Sequence, residues 1–153
     1  MKTREQIEKC ESLAALMVGE TFERVFVAGD NDKLVFATSD GFEVEFYHRQ
    51  NCCESVSIED ISGNLTDLVG SPIMVAEERS NCSETKRASE TWTFYTFRTM
   101  KGTVDVRWHG KSNGYYSERV DVRCRLPGFS DNEDQFIEEF NVARVDDHIY
   151  PNF

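Results

Sequence analysis

Residues 91–109 read TWTFYTFRTMKGTVDVRWH, and this stretch decides the fold class. Thr, Val, Phe, Tyr and Trp dominate it, the β-branched and aromatic types that suit a pleated surface. Residues 91–99 give one strand signal and 103–109 the next, with Lys101-Gly102 between them as a hairpin turn. In the second of these strands, a period of two puts Val104, Val106 and Trp108 on one face. Asp105, Arg107 and His109 fall on the other. A further signal at 115–124, YYSERVDVRC, follows the turn dipeptide Asn113-Gly114. It sets Tyr116, Val120 and Val122 against Tyr115, Ser117, Arg119, Asp121 and Arg123.

Working outward, the pattern upstream is the same. Residues 21–28, 33–38 and 42–48 alternate, separated by turns at 29–32 and at Asp40-Gly41, so they read as an antiparallel meander. Strand signals at 56–61 and 73–78 flank a short helical turn at 65–69, and the polar run 79–90, RSNCSETKRASE, reads as an exposed loop. The two ends differ. Thr3 and Gln6 make a capping-box pattern ahead of Ile7, Cys10, Leu13, Ala14 and Met17 at helical spacing. Ser130 with Glu133 opens a second helix near 131–142, with Phe136, Ile137 and Phe140 as its apolar face. The expected fold is α+β and mainly antiparallel sheet in meanders and hairpins. It has an N-terminal helix over 1–18 and a sheet core over 19–126, which together make one domain. An acidic extension with a short helix follows over 127–153.

Composition fits a globular chain of 153 residues: 39% hydrophobic, 29% charged and rich in aromatics. The net charge of −11 excludes a conventional double-stranded DNA binder, which needs excess base to neutralise phosphates. No apolar run approaches a membrane span, and MKTREQIEKCESLAALMVGE contains no signal-peptide core, so a cytoplasmic protein is expected. The five cysteines, with Cys52 and Cys53 adjacent, do not make a secreted disulfide framework and read as small apolar side chains. The charge is unevenly spread: 50–78 carries −6, 79–125 carries +5 and 126–153 carries −6. An acidic protein thus contains one basic, aromatic region, which holds both tryptophans.

That region is the first candidate surface. If the hairpin at Asn113-Gly114 joins the two polar strand faces, Arg107, Arg119 and Arg123 neighbour Tyr115, His109 and Trp92. Guanidinium groups beside aromatic rings suit a phosphate-bearing, stackable ligand such as a nucleotide. A solvated face of cross-strand pairs fits the same pattern. The second candidate is acidic: Glu59, Asp67, Glu77 and Glu78, with Asp131, Glu133, Asp134 and Glu138. These can meet a host protein and mimic a phosphate backbone, or simply be solvated. The third is His48 with Cys52, Cys53 and Glu54, which are zinc-capable or thiolate-chemistry types. Adjacent cysteines suit one metal poorly and no complementary pair exists, so no metal and no cofactor is expected. The chain contains no P-loop, dinucleotide fingerprint, G-x-S-x-G, H-E-x-x-H or C-x-x-C.

Several segments carry a family resemblance: 48–56 (HRQNCCESV), Ile58-Glu59-Asp60-Ile61, 65–73 (LTDLVGSPI), Ala76-Glu77-Glu78, 91–95 (TWTFY), 106–110 (VRWHG) and 112–118 (SNGYYSE). In this order they resemble an uncharacterised family of small proteins found mostly in phages and prophages, over roughly 18–123. The resemblance brings no activity and no catalytic residues. It implies an accessory phage product that interferes with its host without catalysis. The leading expectation is therefore inhibition of a host system, such as a defence, by binding a host protein through acidic surface. The alternatives are sequestration of a phosphorylated small ligand on the basic aromatic surface, or a small enzyme around His48, Cys52 and Cys53. Exposed strand edges leave a homodimer open.

Overall fold

A computed structural model describes residues 3–85, 87–126 and 136–137, and the fold is α+β, mostly antiparallel sheet. One sheet holds β1 (Arg24–Ala28), β2 (Lys33–Ala37), β3 (Glu43–Tyr47), β8 (Asp121–Arg125) and β9 (Phe136–Ile137), in that order across it. The other holds β4 (Ser55–Ser62), β7 (Gly102–Ser112), β6 (Ser89–Thr99) and β5 (Val75–Glu84), also in spatial order. A 3₁₀ turn at Leu65–Leu68 separates β4 from β5.

The two sheets meet through aromatic side chains. Along β6 the period of two turns Thr93, Tyr95, Phe97 and Thr99 inward, all of them buried. Phe97 lies 4.9 Å from Phe36 of β2 and 5.6 Å from Phe46 of β3, and Tyr95 lies 4.8 Å from Phe46, centroid to centroid. Such pairs add about 0.5–1.5 kcal/mol each beyond their buried area. On β7, Val104, Val106 and Trp108 face inward beside them and are buried, which the alternation of that strand requires. In β1 the inward side chains are Val25 and Val27, whereas Phe26 is 38% exposed with Arg24 over its ring.

Four expectations are corrected. The N-terminal helix is two short ones, α1 (Arg4–Glu8) and α2 (Leu13–Met17). The Thr3–Gln6 capping box forms, but the Ser12 hydroxyl accepts from the Ala15 N–H and starts a new helix, so the chain turns between them. Ile7, Leu13, Leu16 and Met17 still reach the core. Residues 79–90 are not a long loop. β5 and β6 pair continuously from Val75↔Arg98 to Glu84↔Ser89, and the polar side chains are what a solvent-facing edge strand carries.

The strand read at 115–124 shortens to β8, and it does not pair with β7. Both edges of β7 are already taken by β4 and β6, so β8 crosses to the first sheet and pairs with β3, Arg123 opposite Glu45. Finally, Phe136 and Ile137 are not helical. They lie extended beside Arg125 and Cys124, where pairing satisfies backbone groups along the edge of β8; Phe140 falls outside the described residues. No helix among the described residues is long and apolar enough to cross a membrane.

Because Phe97 touches both strands of the facing sheet, Phe97→Ala is expected to cost about 3–5 kcal/mol in urea denaturation. The same truncation at half-exposed Phe26 is expected to cost under about 1 kcal/mol.

Candidate binding face and its clamped rim

The inward turn of Thr93, Tyr95 and Phe97 forces Trp92, Phe94 and Thr96 onto the opposite face of the second sheet. The strand register then dictates their neighbours. Trp92 lies opposite His109 on β7 and Asn81 on β5, and the Trp92 and His109 rings are 5.2 Å apart. One row along, Phe94 lies opposite Arg107 on β7 and Arg79 on β5. Trp92, Phe94, Arg107 and His109 are all half-buried, and Arg79 is exposed. Acids border this face: Glu59 lies 3.4 Å from Arg107, Glu90 lies 3.5 Å from His109, and Glu77 and Asp105 lie on either side of Thr96 in the row beyond Phe94.

Three of the six residues expected on the basic aromatic surface are therefore together: Trp92, Arg107 and His109. The other three are elsewhere because β8 joins the first sheet. Arg123 is 2.9 Å from Glu45 and stacks 4.5 Å over the Tyr47 ring. Arg119 is exposed, 3.6 Å from Asp121, and Tyr115 is 84% exposed against Tyr116. Phe94 and Arg79 complete the face. Phe94 was legible from its even spacing with Trp92, whereas Arg79 requires knowing that β5 continues through the polar run.

The acids expected on one partner surface are dispersed among the described residues. Glu59 is on β4 and Glu77 on β5, at opposite edges of the sheet. Glu78 points to the other face, where it accepts from the Tyr95 hydroxyl, and Asp67 sits in the 3₁₀ turn beside Gly102. Asp131, Glu133, Asp134 and Glu138 lie outside the described residues.

At one end of this sheet, two buried carboxylates fasten the adjoining loops. Glu54 takes the Cys52 N–H (2.8 Å) and the Gln50 amide (3.1 Å) on Oε1. Its Oε2 takes the Asn51 N–H (3.0 Å) and His48 Nε2 (2.9 Å). These four donors fill the four acceptor positions of a carboxylate. The other ring nitrogen of His48 lies 2.7 Å from the Arg119 carbonyl. Both His48 partners only accept, so each contact is satisfied when the facing nitrogen carries its hydrogen. Glu118 is held by the hydroxyls of Ser89 (2.9 Å), Thr91 (2.7 Å) and Ser112 (2.6 Å). Its side chain packs against Gly110, where any Cβ would lie 2.7 Å from that of Glu118. The segments 48–54 and 112–118, both prominent in the family resemblance, are thereby joined at one end of the molecule.

His48 and Glu54 thus have no nitrogen or oxygen turned to a substrate. Cys52 and Cys53 are joined as a disulfide in the exposed turn, a correction to reading them as small apolar side chains; Cys10, Cys82 and Cys124 are in no disulfide among the described residues. No cluster of three metal-capable side chains exists among the described residues.

These features define a two-sheet α+β domain with an open aromatic face and a loop-clamped end. The chain belongs to a family described as a domain of unknown function, DUF7448, whose model matches residues 15–122. No curated protein and no solved structure matches it.

Burial alone would raise the Glu54 carboxyl, but hydrogen bonds from His48 and from the Cys52 and Asn51 backbone outweigh it. They bring it down from 4.5 to about 2. A carboxylate lowered in the folded state stabilises above its unfolded pKa, and that contribution is lost as pH falls from 4.5 through about 2. Urea midpoints measured down this range should therefore fall more steeply for the native chain than for Glu54→Gln. Parallel curves would show that Glu54 is not so held.

Proposed function

We propose that this chain is a non-enzymatic binding protein that holds a stackable, phosphate-bearing ligand of nucleotide type on the open face of its second sheet. The observation that carries this reading is the cross-strand register of Phe94. It sets an arginine on each neighbouring strand, with Trp92 and His109 forming the next row. Aromatic faces take a planar base by stacking, and guanidinium groups beside them extend that stack or pair with phosphate oxygens. The resemblance to small phage proteins supplies the setting: an accessory product that disables a host system by sequestering such a molecule.

The rival classes have less support. Capture of a host protein by acidic mimicry draws on the −6 of residues 126–153, since the described acids sit on separate elements. An enzyme around His48, Cys52 and Cys53 lacks a free general base, because His48 and Glu54 saturate each other and the backbone.

Trp108 is fully buried and Trp92 half-exposed, so intrinsic fluorescence separates the two. Titration with a panel of nucleotides is expected to quench the Trp92 component. Trp92→Ala removes the signal, so its affinity is read by calorimetry. Trp92→Ala and Arg107→Ala are each expected to weaken binding by about tenfold or more, corresponding to about 1.4 kcal/mol or more. Fluorescence and heats that stay flat for every nucleotide across millimolar concentrations would refute the reading.

A further inference from the structure

Where the two clamped loops meet the hairpin joining β5 to β6, they enclose a cleft of about 380 Å³. Its walls include Arg87 from the hairpin, Lys111 from β7, and Asn113 and Tyr116 from the segment fastened by Glu118. Arg87 and Lys111 are exposed, and neither side chain has an ion pair or hydrogen bond among the described residues. Other cations of this acidic chain are engaged: Lys33 and Arg123 with Glu45, Arg107 with Glu59, and Arg119 with Asp121. The carboxylates around the cleft are turned to other partners: Glu90, directly opposite Lys111 on β6, lies 3.5 Å from His109. Glu54 has all four acceptor positions filled, and Glu118 is occupied by three hydroxyls. The Asn113 carbonyl oxygen accepts from the Tyr115 N–H, which leaves its amide as a donor. The polar groups of the cleft wall then include two cations, an amide donor, the Ser55 hydroxyl and a phenol. That set fits an anion of several oxygens.

Position supplies the second half. Lys111 follows His109 on the same face of β7, two residues and about 7 Å along the strand. Lys111, in the cleft wall, thus sits one cross-strand row beyond Trp92 and His109. We infer that the cleft is a phosphate subsite. It takes the phosphate group of a nucleotide on Arg87 and Lys111 while the base lies on the aromatic row. The base half rests on the sheet-face reading. The phosphate half stands on the unpaired cations alone.

The two halves can be tested apart on the full chain by calorimetric titration with pyrophosphate, ribose 5-phosphate, adenosine and AMP. Pyrophosphate and ribose 5-phosphate are expected to bind and to compete with AMP. The double variant Arg87→Ala/Lys111→Ala should weaken both by tenfold or more and leave adenosine unaffected. Trp92→Ala should do the opposite. Both cations are exposed and unpartnered, so the double variant should keep its circular dichroism spectrum and Tm. Ribose 5-phosphate binding where pyrophosphate binds identifies a general phosphate site. A gain specific to AMP identifies a nucleotide site. Failure of pyrophosphate and AMP alike to bind the native chain, or unchanged affinity in the double variant, overturns the subsite. Binding of pyrophosphate without adenosine leaves the subsite standing and removes the base half.

Discussion

The alternation of β6 is the constraint from which the rest follows. Tyr95 and Phe97 must turn inward, because they supply the aromatic contact with Phe36 and Phe46 that joins the two sheets. A strand has only two faces, so Trp92 and Phe94 must then turn outward. A one-residue slip of β6 would exchange the two sets and lose the core. The exposed aromatics are thus fixed in place by the same interaction that stabilises the fold, and no separate element is needed to position them. Their basic neighbours are set by register: Arg79 and Arg107 opposite Phe94, and His109 opposite Trp92.

A second layer of organisation is polar. Glu54 and Glu118 are buried carboxylates that a core of this size tolerates only when their oxygens are hydrogen-bonded. Each uses its acceptor capacity to fasten a loop: Glu54 the turn 50–54, and Glu118 the segment that crosses from β7 to β8. His48 links the two clamps by reaching the Arg119 carbonyl. Residue types that suggest catalysis in the sequence are thereby committed to structure.

The sequence showed its strands well where the inward side chains were apolar, as at 33–38, 42–48, 56–61 and 91–99. It misled where pairing does not depend on apolar residues. The RSNCSE run of β5 pairs through its backbone and carries polar groups because it is an edge. Asn113-Gly114 was a sound turn signal, and Gly114 has a positive φ of 94°. The turn does not specify which strand comes next to which, because that depends on both edges of β7 being occupied. The pairing of Phe136–Ile137 with Arg125 and Cys124 is a long-range backbone contact that no local pattern announces. For the site, Trp92, Arg107 and His109 were legible from period and charge. Arg119, Arg123 and Tyr115 were misplaced by the pairing error, and Glu118 gave no local signal, because its partners Ser89 and Thr91 lie more than two dozen residues away.

The basic stretch 79–125 is divided by the fold: Arg123 and Arg125 go to the first sheet on β8, while Arg79, Arg107 and Lys111 share one feature of the second. That feature is the outer face of the second sheet with the cleft at its end. Backbone amide chemical shifts recorded during titration with AMP locate a ligand directly. The binding face predicts shifts confined to residues around 79–94 and 105–116, converging on Trp92, Phe94, Arg107, His109 and Lys111. Shifts centred on the first sheet around Glu45 and Arg123, or none at all, would contradict it.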